Sequence, residues 1–136
     1  MKKQNFSVSI SSDTKHGKIY FENYKPTKDI NESIVYCLKQ IKLLKNKKKF
    51  YIGATHNHKK RLEEHMKEKK MYNMFVLTHI KTKINTIKIE QELIKYYCDD
   101  KNISNDIYID HHNNLLYGGG GEGIIYETNY IYVLFK

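Results

Sequence analysis

The 136-residue sequence contains no tryptophan, one proline and only two cysteines, Cys37 and Cys98. Isolated cysteines without a CxxC pair argue against a disulfide framework and favour free thiols in a reducing compartment. The basic start MKKQNFSVSISSD lacks the apolar segment of a signal peptide, and no apolar run is long enough to span a bilayer. These absences predict an intracellular protein of the cytoplasm or nucleus that is neither secreted nor membrane-bound. A chain of this length is expected to fold as one domain.

Arginine is the scarcest charged residue, because Arg61 is the one arginine among 24 lysines and arginines. The net charge of +9 predicts a polyanionic partner, with nucleic acid as the first candidate. Lysine abundance is also typical of AT-rich coding DNA, so the lysines are less informative than the arginine. A guanidinium differs from an ammonium in binding two phosphate or carboxylate oxygens with a planar fork. Arg61 is therefore a candidate phosphate-binding residue, with random drift as the alternative.

The residue patterns predict an α+β fold, in which a small central antiparallel β-sheet is flanked by at least two helices. Strands are expected at residues 17–24, 33–40, 49–55 and 73–80, with a short strand at 107–109 and one or two closing strands within 124–135. Helices are expected at residues 56–70 and 85–98. The strands at 33–40 and 49–55 form a predicted hairpin with a basic tip.

The chain is predicted to form a single domain with extensions at both ends. Its core covers residues 33–123, preceded by an N-terminal extension (1–32) and followed by a C-terminal strand extension (124–136).

The second predicted helix carries a carboxylate on its apolar side. At 100° per residue, Glu90 lies in the arc of Leu93 and Ile94, whereas Glu92 lies among lysines on the opposite side. A buried carboxylate without a partner is costly, so Glu90 needs a cation, hydrogen bonds or a metal ion. A structural salt bridge is the alternative to a functional role.

Residues 51–65 combine a YIG tripeptide on a predicted strand with a predicted helix that carries Arg61 and His65. Arg61 follows Tyr51 by ten residues, and His65 lies one helical turn further on. IEQELIK, around Glu90, follows on the next predicted helix. This combination resembles the GIY-YIG nuclease family, in which UvrC-type and phage homing nucleases carry a metal-binding glutamate in a similar segment.

Two weaker matches extend the resemblance in both directions. Ile34-Val35-Tyr36 fills the place of the first half-motif, so Tyr36 matches the family tyrosine. NNLLYGGGGEG resembles the Asn-Leu-x-x-Gly-Gly ending of the family, which selects Asn114. Asn102 and Asn105 are the alternatives for this asparagine.

The resemblance implies a metal-dependent DNA endonuclease that hydrolyses phosphodiester bonds to 5′-phosphate and 3′-hydroxyl ends. Tyr36 or Tyr51, side by side on paired strands, would act as general base, and His65 would transfer a proton or orient a tyrosine. Arg61 would bind the non-bridging phosphate oxygens. Glu90 would bind one Mg²⁺ or Mn²⁺, and Asn114 would help to order the site.

Double-stranded DNA is the implied partner, and clustered lysines are its expected contacts. These lysines lie in the hairpin tip and at the start of the first helix: Lys47, Lys48, Lys49, Lys59 and Lys60. Many family members also carry a lysine close to the second tyrosine. Ala54 follows Gly53 here, so Lys49 or another tip lysine would take that role.

The sequence departs from the family pattern where Ile34 replaces the glycine of the first half-motif. This departure favours, as the alternative function, a catalytically degenerate relative that binds nucleic acid without cutting it. A basic interaction protein unrelated to nucleases is a third class. A weakly specific nuclease, a restriction-type homodimer and one module of a larger assembly all stay open. The AT-rich composition fits a phage, a virus or a mobile element.

Overall fold

In the computed structural model, helices pack on both faces of a β-sheet, which confirms the predicted α+β class. The structure describes residues 7–12, 15–46, 48–105, 107–109, 115–117 and 128–136. The helices are α1 (Ile30–Lys45), α2 (His58–Glu68) and α3 (Lys83–Tyr96). The strands are β1 (Ser7–Ser12), β2 (Lys15–Tyr20), β3 (Phe50–Thr55), β4 (Asn73–Ile80), β5 (Ile107–Ile109), β6 (Leu115–Tyr117) and β7 (Asn129–Phe135).

The main sheet of the described residues has the strand order β1-β2-β4-β7-β3, and β5 pairs separately with β6. β2 and β4 are parallel, whereas the other neighbouring strands are antiparallel. The sheet is therefore mixed, and the prediction of an antiparallel sheet is wrong for this pair of strands. The C-terminal strand β7 is hydrogen-bonded to β4 on one side and to β3 on the other. A segment that the sequence indicates as an extension therefore lies in the interior of the sheet.

Residues 33–40 form the middle of helix α1, and the strand predicted for them is wrong. Asp29 caps the helix with its side chain, and Asn46 ends it with a positive φ. Cys37 and Ile41, spaced i and i+4, are both buried in the core. The β-branched and aromatic residues favour a strand locally, but burial at helical spacing prevails over that preference. The predicted hairpin with β3 is absent from the described residues for the same reason.

Two apolar cores lie on opposite faces of the sheet. Helices α1 and α3 cover one face, where Ile52 packs with Leu93. Helix α2 covers the other face, where Tyr51 packs with Leu62 and Tyr132. Successive side chains of a strand point to opposite faces, so the neighbours Tyr51 and Ile52 enter different cores.

The structure confirms the predicted strands β4 and β5 and the predicted helices α2 and α3, with shifts of a few residues at the helix ends. Strand β3 (Phe50–Thr55) matches the strand predicted for residues 49–55. Cys37 and Cys98 are free thiols. Among the described residues, no helix has the length and apolar character that a membrane span requires.

The outer edge of β3 is hydrogen-bonded to the segment that follows α3. Phe50 donates its N–H to the Asn102 carbonyl at 2.9 Å, and the Phe50 carbonyl accepts from the Ser104 N–H at 2.7 Å. The side chain of Asn105 accepts from the Ile52 N–H and donates to the Ile52 carbonyl, both at 2.9 Å. The Asn105 amide thereby satisfies backbone groups that a neighbouring strand would otherwise pair.

The substitution Asn105→Ala should leave both backbone groups of Ile52 buried without partners. We expect it to lower the free energy of unfolding by about 2–4 kcal/mol, as measured by urea denaturation. Asn102→Ala is the matched control, because Asn102 contacts β3 through its backbone carbonyl, which alanine keeps. Equal losses in the two variants would show that the Asn105 amide does not stabilise this edge.

Candidate active site

Helix α2 presents Arg61, His65 and the following Lys69 in one row, because residues spaced by four lie on the same helical face. Asn57 caps α2 by accepting from the Lys60 N–H at 3.1 Å, so the row begins in the first turn. The side chain of Arg61 is 18% exposed, whereas His65 is 1% exposed. The predicted juxtaposition of Arg61 and His65 is present in the fold.

Tyr132 of β7 lies at the centre of the site, although the sequence did not single it out. It is paired in register with Gly53 of β3. A Cβ atom at Gly53 would overlap the hydroxyl and ring of Tyr132. The glycine of the YIG tripeptide therefore leaves the space that the Tyr132 ring fills.

The hydroxyl of Tyr132 connects Arg61 to His65. It lies 2.9 Å from His65 Nε2 and is also hydrogen-bonded to Arg61. A guanidinium can only donate, so the Tyr132 oxygen accepts from Arg61. In the arrangement that satisfies the phenol hydrogen, Tyr132 donates to His65 Nε2, and the imidazole proton lies on Nδ1.

Burial shifts the pKa values of His65 and Tyr132. Burial, with the charges of Arg61 and Lys69, lowers the pKa of His65 to about 3. Burial and the neighbouring Tyr51 raise the pKa of Tyr132 well above its ordinary value, although Arg61 acts to lower it. His65 and Tyr132 are therefore both neutral near pH 7, and Arg61 is the charged member of this hydrogen-bonded group.

Tyr51, on β3, lies beside His65 and Tyr132. Its ring centroid is 4.7 Å from that of His65 and 6.5 Å from that of Tyr132. Nζ of Lys69 lies 5.0 Å from the Tyr51 ring centroid, within the range of a cation–π contact. Lys69, one turn beyond His65, is thus a lysine in contact with Tyr51, the position that the resemblance assigned to Lys49 or another tip lysine.

Glu90 of α3 is 3% exposed, which confirms the inward orientation predicted from its helical position. Its carboxylate accepts a hydrogen bond from the backbone of Ala54. Ala54 lies two residues beyond Ile52, so its N–H points to the same outer edge of β3 where Asn105 binds. Burial raises the pKa of Glu90 to about 8, although Arg61 and the Ala54 hydrogen bond act to lower it.

The donor set at Glu90 fits a hard divalent ion. Among the described residues, Oε1 of Glu90 is buried and has no hydrogen-bond partner. No group of three or more histidine, cysteine, aspartate or glutamate side chains in that part of the chain could hold a metal ion. A carboxylate oxygen is the kind of ligand that a hard ion such as Mg²⁺ takes from a protein, with waters and phosphate oxygens as its other ligands.

Arg61 faces a polar cleft of about 480 Å³ at the start of α2. The cleft is lined by Thr55, His56, Asn57, Lys60, Arg61, Glu64 and Glu68. The first turn of α2 contains no acidic residue and carries two lysines, Lys59 and Lys60, beside the arginine. Positive side chains at a helix N-terminus are repelled by the positive end of the helix dipole. An anion bound in the cleft would offset the charge of the side chains and that of the dipole.

Tyr36 does not lie beside Tyr51, which makes the predicted pairing of these two tyrosines wrong. It is on α1 and packs against the core between α1, α3 and the sheet, whereas Tyr51 belongs to the opposite core. Its ring faces Lys25, with Nζ 5.8 Å from the ring centroid. Tyr132 takes the place next to Tyr51 that was assigned to Tyr36.

The lysines predicted to contact DNA fall into two groups. Lys59 and Lys60 are exposed beside the cleft, whereas Lys48 and Lys49 are exposed at the other end of β3. Six residues of extended strand separate the two groups by roughly 16 Å. Lys47 lies outside the described residues.

The predicted role of Asn114 stays a prediction, because this residue also lies outside the described part of the chain. Of the two alternatives, Asn105 binds β3 beside the contact of Glu90 with Ala54. Asn102 binds the far end of the strand, at Phe50, through its backbone. Of these two alternatives, the geometry thus favours Asn105 as the asparagine nearer to Glu90.

The assembled side chains suit phosphate chemistry, since they combine a guanidinium facing a cleft, a hydrogen-bonded tyrosine and a buried carboxylate. No family model matches the chain, and neither curated proteins nor solved structures provide a match.

The substitution Glu90→Gln should stabilise the metal-free protein, and more so at higher pH. The folded-state pKa of Glu90 is raised from 4.5 to about 8, so the wild-type protein loses stability as the pH rises through this interval. Glutamine does not ionise and avoids this loss, which is on the order of a few kcal/mol. Thermal melts at pH 5 and pH 8 in EDTA would measure the difference.

Glu92→Gln is the control for this prediction, because Glu92 is exposed on the same helix. We expect its effect on the melting temperature to be small and independent of pH. A stability gain for Glu90→Gln that stays constant between pH 5 and pH 8 would contradict the burial of an ionisable carboxyl group at this position.

Proposed function

We propose that the chain is a metal-dependent DNA endonuclease of the GIY-YIG type. The observation that carries the proposal is the clustering of Arg61, His65, Tyr51 and Tyr132, with Glu90 close enough to interact electrostatically with Arg61 and Tyr132. The sequence resemblance selects four of these residues from three separate elements. If the resemblance were a chance match, these residues would have no reason to lie close together. This holds especially for Glu90, because α3 lies on the face of the sheet opposite to α2. Their convergence therefore supports the resemblance.

Arg61 is suited to bind the scissile phosphate. Its guanidinium is hydrogen-bonded to Tyr132 on the inner side and borders the polar cleft on the outer side. Two non-bridging oxygens of a phosphodiester can accept from one guanidinium, and charge that develops on them during attack would be stabilised by it. Lys59 and Lys60 would contact neighbouring phosphates along the DNA.

Tyr132 is suited to accept the proton of the attacking water. As the water proton moves to the Tyr132 oxygen, the phenol hydrogen would move to His65 Nε2. Bound phosphate would offset the charge of Arg61, which is one cause of the low pKa of His65, so substrate would make His65 a better proton acceptor. Tyr51 packs against His65 and would hold the imidazole in position.

Glu90 would hold one Mg²⁺ or Mn²⁺ through its unpartnered oxygen, and the ion would stabilise charge on the leaving oxygen. The backbone of Ala54 fixes the carboxylate against β3, and Asn105 fixes the same edge of that strand. Together these contacts would orient the Glu90 carboxylate.

A nucleic-acid-binding protein without nuclease activity is the second candidate function. The burial of the proposed catalytic residues favours this second function, because Tyr132 and His65 are each 1% exposed and Glu90 is 3% exposed. Arg61 and the lysines of α2 are sufficient for phosphate binding. The buried carboxylate of Glu90 favours the nuclease, since it costs stability and brings nothing to the binding of an anion.

The substitution Tyr132→Phe removes one hydroxyl and should slow single-turnover cleavage of an end-labelled DNA duplex in Mg²⁺ by at least ~10²-fold. Tyr36→Phe makes the same chemical change on the other face of the sheet and should leave the rate close to that of the wild-type protein. Thermal melts would verify that both variants are folded.

Rapid cleavage by Tyr132→Phe, or slow cleavage by Tyr36→Phe alone, would contradict the role given to Tyr132. DNA binding without product in the wild-type protein and both variants would support the second candidate function.

A further inference from the structure

We propose that Glu64 occupies the phosphate-binding side of Arg61 in the free protein and is displaced when DNA binds. This inference rests on the proposed function, because it assigns a role to a residue at the mouth of the same site. Glu64 would therefore set the affinity for DNA without taking part in the chemistry.

The contact between Arg61 and Glu64 is loose. Nη1 of Arg61 lies 3.6 Å from Oε1 of Glu64, whereas a charge-assisted hydrogen bond between these groups is about 2.7–2.9 Å long. The same guanidinium is hydrogen-bonded to Tyr132 on its inner side. Its Nε is buried and has no hydrogen-bond partner among the described residues. Arg61 is thus fixed from within but weakly held toward the cleft.

Glu64 is placed where an incoming phosphate would have to pass. Both Arg61 and Glu64 line the polar cleft at the start of α2. The Glu64 side chain is 43% exposed, compared with 18% for Arg61, so the carboxylate can turn into solvent while the guanidinium stays in place. A carboxylate and a phosphate present similar pairs of oxygens to a guanidinium and therefore compete for it.

Glu64 also compensates the charge of Arg61 when no substrate is present. Arg61 lies between Lys69, beyond His65 on one side, and Lys60 in the cleft on the other side, where Glu68 is a second acidic lining residue. A largely buried guanidinium without a counter-charge is costly. A loose, exposed carboxylate lowers that cost in the free protein and can be replaced by the DNA phosphate in the complex.

The test compares Glu64→Gln with Glu63→Gln. Both substitutions remove one negative charge from the same helix, and Glu63 is exposed and is not among the described residues that line the cleft. The dissociation constant for a short DNA duplex would be measured by fluorescence anisotropy in EDTA at fixed ionic strength. We expect Glu64→Gln to tighten binding about three- to fivefold and Glu63→Gln less than about twofold.

A second comparison isolates Arg61. In an Arg61→Met background, the gain from Glu64→Gln should fall to that of Glu63→Gln, because no guanidinium is left for the carboxylate to cover. Equal gains in the wild-type background, or a Glu64 gain that persists with methionine at position 61, would overturn this inference and leave the proposed function standing. No DNA binding by the wild-type protein would overturn both.

Discussion

The site depends on the hydroxyl of Tyr132, which is hydrogen-bonded to Arg61 and to His65. β7 brings this tyrosine to the middle of the sheet, where β4 and β3 hold it on both sides. Gly53 leaves room for its ring. The Tyr132 phenol thereby links the sheet to Arg61 and His65 on α2. Any shift of β7 against β3 would separate the hydroxyl from these two residues.

Burial shifts the pKa values of Glu90 and of His65, the histidine beside this hydroxyl, in opposite directions. The pKa of Glu90 rises to about 8, and the pKa of His65 falls to about 3. Both groups are therefore predominantly neutral at pH 7 in the metal-free protein, while Arg61 stays charged. The charge of Arg61 suits the recruitment of a phosphodiester. Displaced pKa values of this kind cost stability and are typical of functional sites.

The sequence was sufficient to predict the parts of the site that lie within single elements. Helical spacing predicted the row of Arg61 and His65 and the inward orientation of Glu90, because both depend only on the 3.6-residue period. The same spacing, extended by one turn, would have found Lys69. Arg61 was selected because it is the one arginine of the sequence. The structure places it at a cleft, and its phosphate binding stays a prediction.

Tyr132 could not be found in this way, because its role depends on which strands pair. The Tyr130-Ile131-Tyr132 pattern marks a strand, but nothing in the sequence states that the last strand lies beside β3. Tyr36 was chosen because it precedes Tyr51 along the chain, yet its segment buries Cys37 and Ile41 at helical spacing. Asn105 was one of three candidates, and only its two hydrogen bonds to Ile52 distinguish it.

The nicking of supercoiled plasmid DNA tests the central claim most directly. The wild-type protein should convert supercoiled to open-circular DNA in Mg²⁺ but not in EDTA. Arg61→Lys keeps the charge but loses the two-nitrogen fork, and it should nick at least ~10²-fold more slowly while binding DNA with similar affinity. Intact plasmid with the wild-type protein in Mg²⁺, or nicking at the wild-type rate by Arg61→Lys, would contradict the account.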